Sequence, residues 1–237
     1  ALRMDHLDVE AVAVLVDRIR SEQGRLDVLV NDIFGGDRYA QWQTPLWEHD
    51  LQGGLRMLRM GVETHIITAS LALPLMLGTG GGLLVEMTDG TSEANSGDRP
   101  GGGFYYDFVK AGVDRLVRNF ARDLKDTTVA AVGVTPGWMR SERMLEGFGI
   151  TEDTWREFCR KEPSFGISES PTYVARWVTA LAADDDRARF AGQVVTARQL
   201  ADVYDVTDVD GSRPDCWGLI ADHGWSEENP EVIKKYR

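Results

Sequence analysis

Residues 83–134 decide the fold: Leu83-Leu84-Val85-Glu86-Met87, a loop rich in Gly, Ser and Asp from Asp89 to Gly103, the run Tyr105–Leu124, and Val129-Ala130-Ala131-Val132-Gly133-Val134. The first and last runs are short and mostly apolar. Gly78-Thr79-Gly80-Gly81-Gly82 precedes the first and Pro136-Gly137 follows the last, so both read as buried strands bounded by turns. Between them Val109, Val113, Leu116, Val117, Phe120 and Leu124 recur at helical spacing and predict one amphipathic helix. A strand, a long helix and a second strand form the repeating unit of a parallel α/β sheet.

The same alternation extends in both directions. Asp8 is placed to cap a helix over Val9–Glu22, where Val12, Leu15, Val16 and Ile19 share a face, and Gly24 ends it. Ala1–Asp5 reads as a short extended run and Leu26–Val30 as a strand, broken by Gly35-Gly36. A long helical pattern covers about Gly54–Leu77. Beyond Pro136-Gly137, Pro171–Ala183 is predicted helical, Gln193–Thr196 a strand, and the remainder a polar tail. No internal repeat is visible, and 237 residues suit a single α/β domain, 1–237.

Bulk properties narrow the function. With 26 basic against 38 acidic residues the net charge is −12, which disfavours nucleic acid and anionic membranes. The apolar stretch Ile66–Leu77 is interrupted by Thr68, Ser70 and Pro74 and is too short to span a bilayer; no secretory signal opens the chain, so a cytoplasmic protein is expected. Cys159 and Cys216 lie far apart, and His6, His49, His65 and His223 show no ligand spacing, so no metal is expected. Packing is the simpler role for His65.

Ligands of open α/β sheets gather at the carboxyl ends of the strands, here after Val30, Met87 and Val134. The strongest chemical signal is Tyr106 with Lys110, one helical turn apart on one face. An ammonium beside a phenol favours the phenolate, so Lys110 is expected to lower the pKa of Tyr106 and make it a general acid/base. Tyr105 has no lysine four residues on, which selects Tyr106.

Five segments, in order, resemble the short-chain dehydrogenase/reductase family. They are Leu26-Asp27-Val28-Leu29-Val30-Asn31-Asp32, Gly81–Asp89, Tyr106-Asp107-Phe108-Val109-Lys110-Ala111, Val134–Ser141 and Ala191-Gly192-Gln193-Val194-Val195. The tail Gln199–Tyr204 with Thr207–Pro214 is similar to the subgroup of dehydrogenase/reductase member 1. The resemblance implies a Rossmann-like, doubly wound parallel sheet in three αβα layers, lacking its first two strands in this chain. Some 60 upstream residues, about two βα units, would supply the Gly-rich turn. It further implies NAD or NADP as cofactor and a small carbonyl or alcohol substrate. Tyr106 would be the acid/base, Lys110 would sit on the nicotinamide ribose, and Asn31 would lie near the adenosine-side ribose. Asp5 and His6 would lie near adenine, and Pro136, Gly137, Trp138, Met139 and Ser141 would hold the carboxamide. A substrate lid over about 138–170 carries Trp138, Met144, Leu145, Phe148, Trp155, Phe158 and Phe165, which suits a lipophilic substrate or ordinary packing. The tail occupies 198–237, and pairing through the two long helices into a homodimer or homotetramer is expected.

Two departures bear on catalysis. The family's serine position holds Asp89, whose carboxylate can only accept a hydrogen bond. Either Asp89 is protonated, or Thr88, Thr91 or Ser92 supplies the hydroxyl, or Asp89 is a turn residue before Gly90. The asparagine of the family's proton relay falls at Gly61. These departures keep open a non-catalytic protein that binds a nucleotide or a partner.

Overall fold

The computed structural model describes residues 1–97, 99 and 101–237. They divide into two compact units, residues 1–134 with 185–194, and residues 135–184 with 195–237. The predicted loop Asp89–Gly103 includes positions 98 and 100, which lie outside the described residues.

In the first unit, Asp8 accepts the Ala11 N–H and caps α1 (Val9–Gln23), which stops at Gly24 in the left-handed region, φ 72°. Strand β1 (Val28–Asn31) follows, then α2 (Leu51–Leu58), a π turn (Arg59–Glu63) and α3 (Thr64–Gly78) as one uninterrupted helical run. Strand β2 (Gly82–Met87), α4 (Phe104–Asp123) and β3 (Val129–Thr135) complete the deciding stretch as read. Sheet order is β1-β2-β3-β4, with β4 at Val194–Thr196. The pairs Leu29↔Leu84 and Leu84↔Ala131 are parallel and in register. Leu84 and Ala131 meet Ala69 and Met76 of α3, with Phe120 of α4 packed alongside. Behind α3, Ala72 and Leu75 pack on Val16 of α1. This face of the sheet is therefore the hydrophobic core, and α3 and α4 are fixed upon it with their first turns toward the strand ends.

Three expectations are corrected. Residues 1–5 form no strand, and Asp5 instead accepts the Leu7 N–H in a turn. The long helix spans Leu51–Gly78, 28 residues apolar and long enough to cross a membrane, against the shorter stretch read from sequence; half of its most apolar window is buried inside the fold. The tail is not merely polar.

That correction belongs to the second unit. It carries α5 (Glu142–Phe148), α6 (Trp155–Phe158) and α7 (Pro171–Ala183), then α8 (Ala197–Tyr204), α9 (Cys216–His223) and α10 (Pro230–Ile233). Leu200, Trp217, Leu219 and Ile233 are buried. Ile167, Leu219 and Ile233 form a core cluster with Trp138 packed against it. A parallel bridge joins Met139 to Glu169.

Candidate active site

The helical start of α4 places two adjacent tyrosines in different surroundings. Tyr105 is buried with Met57 and Val109, its ring edge-on to His49. Tyr106 turns toward the carboxyl end of β2, where its hydroxyl donates to Asp89 Oδ2 at 2.8 Å. Its ring contacts Phe34 (centroids 5.9 Å) and the half-exposed Trp42 (4.8 Å).

Asp89 is held by Arg99. Nη1 donates to Oδ2 at 2.7 Å, while Nη2 donates to the Asp89 carbonyl at 2.6 Å and to Asn95 Oδ1 at 2.9 Å. Arg99 is also 3.7 Å from Asp107. The Arg99 side chain is 6% exposed and that of Asp89 36%, so the cation is sealed in and the carboxylate keeps a path to water. This ion pair answers the question left by the missing serine. Thr88 is buried and donates to the Lys110 carbonyl, Ser92 donates to Asp114, and Thr91 accepts from the Ala94 N–H. Among the described residues the Tyr106 hydroxyl meets the Asp89 carboxylate, itself bound by the Arg99 guanidinium, and makes no hydrogen bond to any of these three hydroxyls.

The direction of the Tyr106 shift reverses the sequence expectation. Burial, then the charge of Asp89 and the hydrogen bond to it, raise the phenol well above the ordinary tyrosine range, with Arg99 opposing. Lys110 does not offset this. Its ammonium lies 4.0 Å from the centre of the Phe34 ring and 5.2 Å from that of Tyr106, and burial lowers its pKa against the pull of Asp89 and Asp37. Tyr106 is therefore a firmly protonated phenol. Among the described residues the Lys110 ammonium makes no hydrogen bond or ion pair, so its donors are available to a ligand's hydroxyls.

The relay position has its own reason to be glycine. The π turn brings Gly61 against α4, where a Cβ would lie 2.4 Å from Val109 Cγ1. An asparagine there has no room.

The other predicted residues are placed as follows. Asn31 is fully buried and donates to Glu86 Oε1 at 2.8 Å, which turns its amide into the core; its Oδ1 has no partner among the described residues. Glu86 also binds His65 Nδ1, and His65 Nε2 lies 2.8 Å from the Ile33 carbonyl, so His65 is a packed core histidine. His6 pairs with Thr68 Oγ1 at 2.8 Å. In the second unit, the Pro136 carbonyl accepts Trp217 Nε1 at 2.8 Å, Gly137 lies against Cys216 and Glu169, and Trp138 rests on Phe165. The Ser141 oxygen accepts the Met144 N–H as the cap of α5, which leaves its O–H to donate. Arg99, Phe34 and Trp42 escaped the sequence reading. For Arg99 one signal existed: it is the single basic residue between Asp89 and Lys110.

The profile of the family described as Enoyl-(Acyl carrier protein) reductase matches residues 1–197. Dehydrogenase/reductase SDR family member 1 of Mus musculus is 30% identical over 215 residues, covering 86% of this chain and 64% of that protein. The human counterpart is 29% identical over 205 residues and is covered to 61%. Cis-4-hydroxycyclohexanecarboxylate dehydrogenase of Sinomonas cyclohexanicum is 27% identical, with 77% of this chain and 69% of that one covered. Among solved structures, 7α-hydroxysteroid dehydrogenase complexed with NADH and 7-oxo glycochenodeoxycholic acid superposes with a TM-score of 0.65 at 22% identity, over 90% of this chain and 74% of that chain. ElxO with NADP bound gives 0.65 at 21%, over 83% and 75%. This chain belongs to the short-chain dehydrogenase/reductase family. It spans somewhat under two thirds of the length of its member 1 relatives.

Proposed function

We propose that the protein interconverts an alcohol and a carbonyl with NAD or NADP, Tyr106 exchanging the proton of the substrate oxygen. The observation that carries this reading is the placing of Tyr106 and Lys110 on one face of α4, the ammonium 5.2 Å from the centre of the phenol ring and the hydroxyl at the carboxyl end of β2. Bound dinucleotide would supply the hydride acceptor or donor. Lys110, with its donors uncommitted among the described residues, suits the ribose hydroxyls. As a protonated phenol, Tyr106 is in the form that donates to a carbonyl oxygen during reduction.

Phe34 and Trp42 flank Tyr106 with apolar ring surface. That surface favours a lipophilic substrate, in keeping with the ring-borne alcohols in the names of two similar proteins. Fluorescence titration with NADH and NADPH tests binding, and a panel of cyclic alcohols and ketones tests turnover. Tyr106→Phe is expected to lower kcat by about 100-fold or more. Activity indifferent to that change refutes the assignment. A second reading, nucleotide binding without turnover, draws on the engagement of the Tyr106 hydroxyl by Asp89. Dinucleotide binding with no activity across the panel would establish it instead.

A further inference from the structure

Building on the catalytic reading above, we propose that Asp89, clamped by Arg99, is the base behind Tyr106: the proton of an alcohol substrate enters at Tyr106 and leaves through Asp89. A hydroxyl group can accept one proton while releasing another only if its own hydrogen already points at an acceptor. The Tyr106 hydrogen does, toward Asp89 Oδ2 at 2.8 Å. Neither the relay position nor the lysine offers the proton another way out. Gly61 has no side chain, and Val109 leaves no space for one. The Lys110 amine lies over the Phe34 ring.

Arg99 keeps this acceptor in place. Its two terminal nitrogens grip the side chain and the backbone carbonyl of Asp89, and Asn95 fixes the second nitrogen. The charged groups acting on Tyr106 and Lys110 are few and traceable. Asp89 and Arg99 come from the loop after β2, and Asp32 and Asp37 from the segment after β1. Asp107 on α4 pairs with Arg99. The partly exposed Asp89 carboxylate can then pass the proton to solvent.

In oxidation a bound dinucleotide would take the hydride from the substrate carbon, and the O–H bonding pair becomes the second bond of the carbonyl. The alcohol proton goes to Tyr106 Oη as the former Tyr106 proton goes to Asp89, so no free phenolate forms. Reduction runs the same steps backward. The arrangement fits a buried phenol whose ionisation is opposed by its surroundings. Asp89 acts through Tyr106, and Arg99 acts through Asp89; both are positioning residues in this scheme.

Asp89→Asn removes the base and keeps the shape. For alcohol oxidation near neutral pH, kcat is expected to fall by about 100-fold and to climb with pH over a range where the native protein is flat. In H2O/D2O mixtures the native rate should follow a bowed curve, two protons being in flight, and the Asp89→Asn rate a straight line. Asp89→Glu should restore the flat profile, and Arg99→Met, which frees the carboxylate from its clamp, should lower kcat without straightening the isotope curve. Native turnover with an unmoved Asp89→Asn profile and an unchanged isotope curve overturns this proposal alone. Absence of native turnover on every substrate overturns the functional reading and this proposal with it.

Discussion

Gly61 shows how one residue can close a family's habitual route. The π turn at Arg59–Glu63 presses that backbone onto α4, and Val109, the neighbour in the way, is itself buried. Valine is stiff about χ1, so it cannot easily swing aside. Gly61→Ala is expected to cost roughly 1–3 kcal/mol, the ordinary penalty of overpacking, read as a lowered urea midpoint with unchanged slope. An unchanged midpoint would mean the turn gives way at no cost. The choice of Tyr106 over Tyr105 was legible because a lysine four residues on is a local relation. The sign of the Tyr106 shift was not. Sequence shows that Lys110 is near, but not that its amine rests on Phe34 while a carboxylate 17 residues upstream meets the phenol. Charges brought together by a loop leave no periodic trace.

Among the elements, the segment after β3 is the least readable in sequence. It is held by a parallel bridge at Met139↔Glu169, with the Glu169 N–H donating to the Trp138 carbonyl at 2.9 Å and the Arg140 N–H to the Glu169 carbonyl at 2.8 Å. A partner 30 residues away in a stretch of two or three residues is too short to show alternation. The bridge buries the Glu169 side chain completely beside the Gly137 backbone, with no well-formed hydrogen bond on either oxygen among the described residues. Burial, only partly offset by the polar Gly137 backbone, pushes its pKa from 4.5 up to about 8. The folded protein thus holds a proton that the unfolded chain releases, and stability must fall as pH rises between those two values. Glu169→Gln, which keeps the shape and cannot ionise, should abolish this slope. Denaturant midpoints of native and variant protein are expected to lie close at pH 5 and to diverge by pH 9, the variant being the more stable. Parallel pH curves would show that Glu169 finds a compensating partner.

For the molecule as a whole, the parallel order of strands and long helices was legible because each of those elements is long enough to repeat its pattern. Helices α8 to α10 were not, since four to eight residues give too few turns for a face to declare itself. Surface composition raises a different question in the first unit. Helices α2 and α4 pack on each other, and each leaves an apolar pair one turn apart exposed: Leu51 with Leu55, and Phe104 with Phe108. The two phenyl rings stack, 6.3 Å between centroids and 11° between planes. Scattered single apolar residues are ordinary on a surface, but paired rings held parallel to each other form a preformed contact area at little entropic cost. An exposed apolar patch of this kind is suited to a two-fold interface, in which each copy offers the same residues. Light scattering coupled to size exclusion should therefore find the native chain as a dimer or tetramer, and Phe104→Ser combined with Phe108→Ser should reduce its mass while α4 keeps its helical signal. A native protein that runs as a monomer at every concentration would place the function of those rings elsewhere.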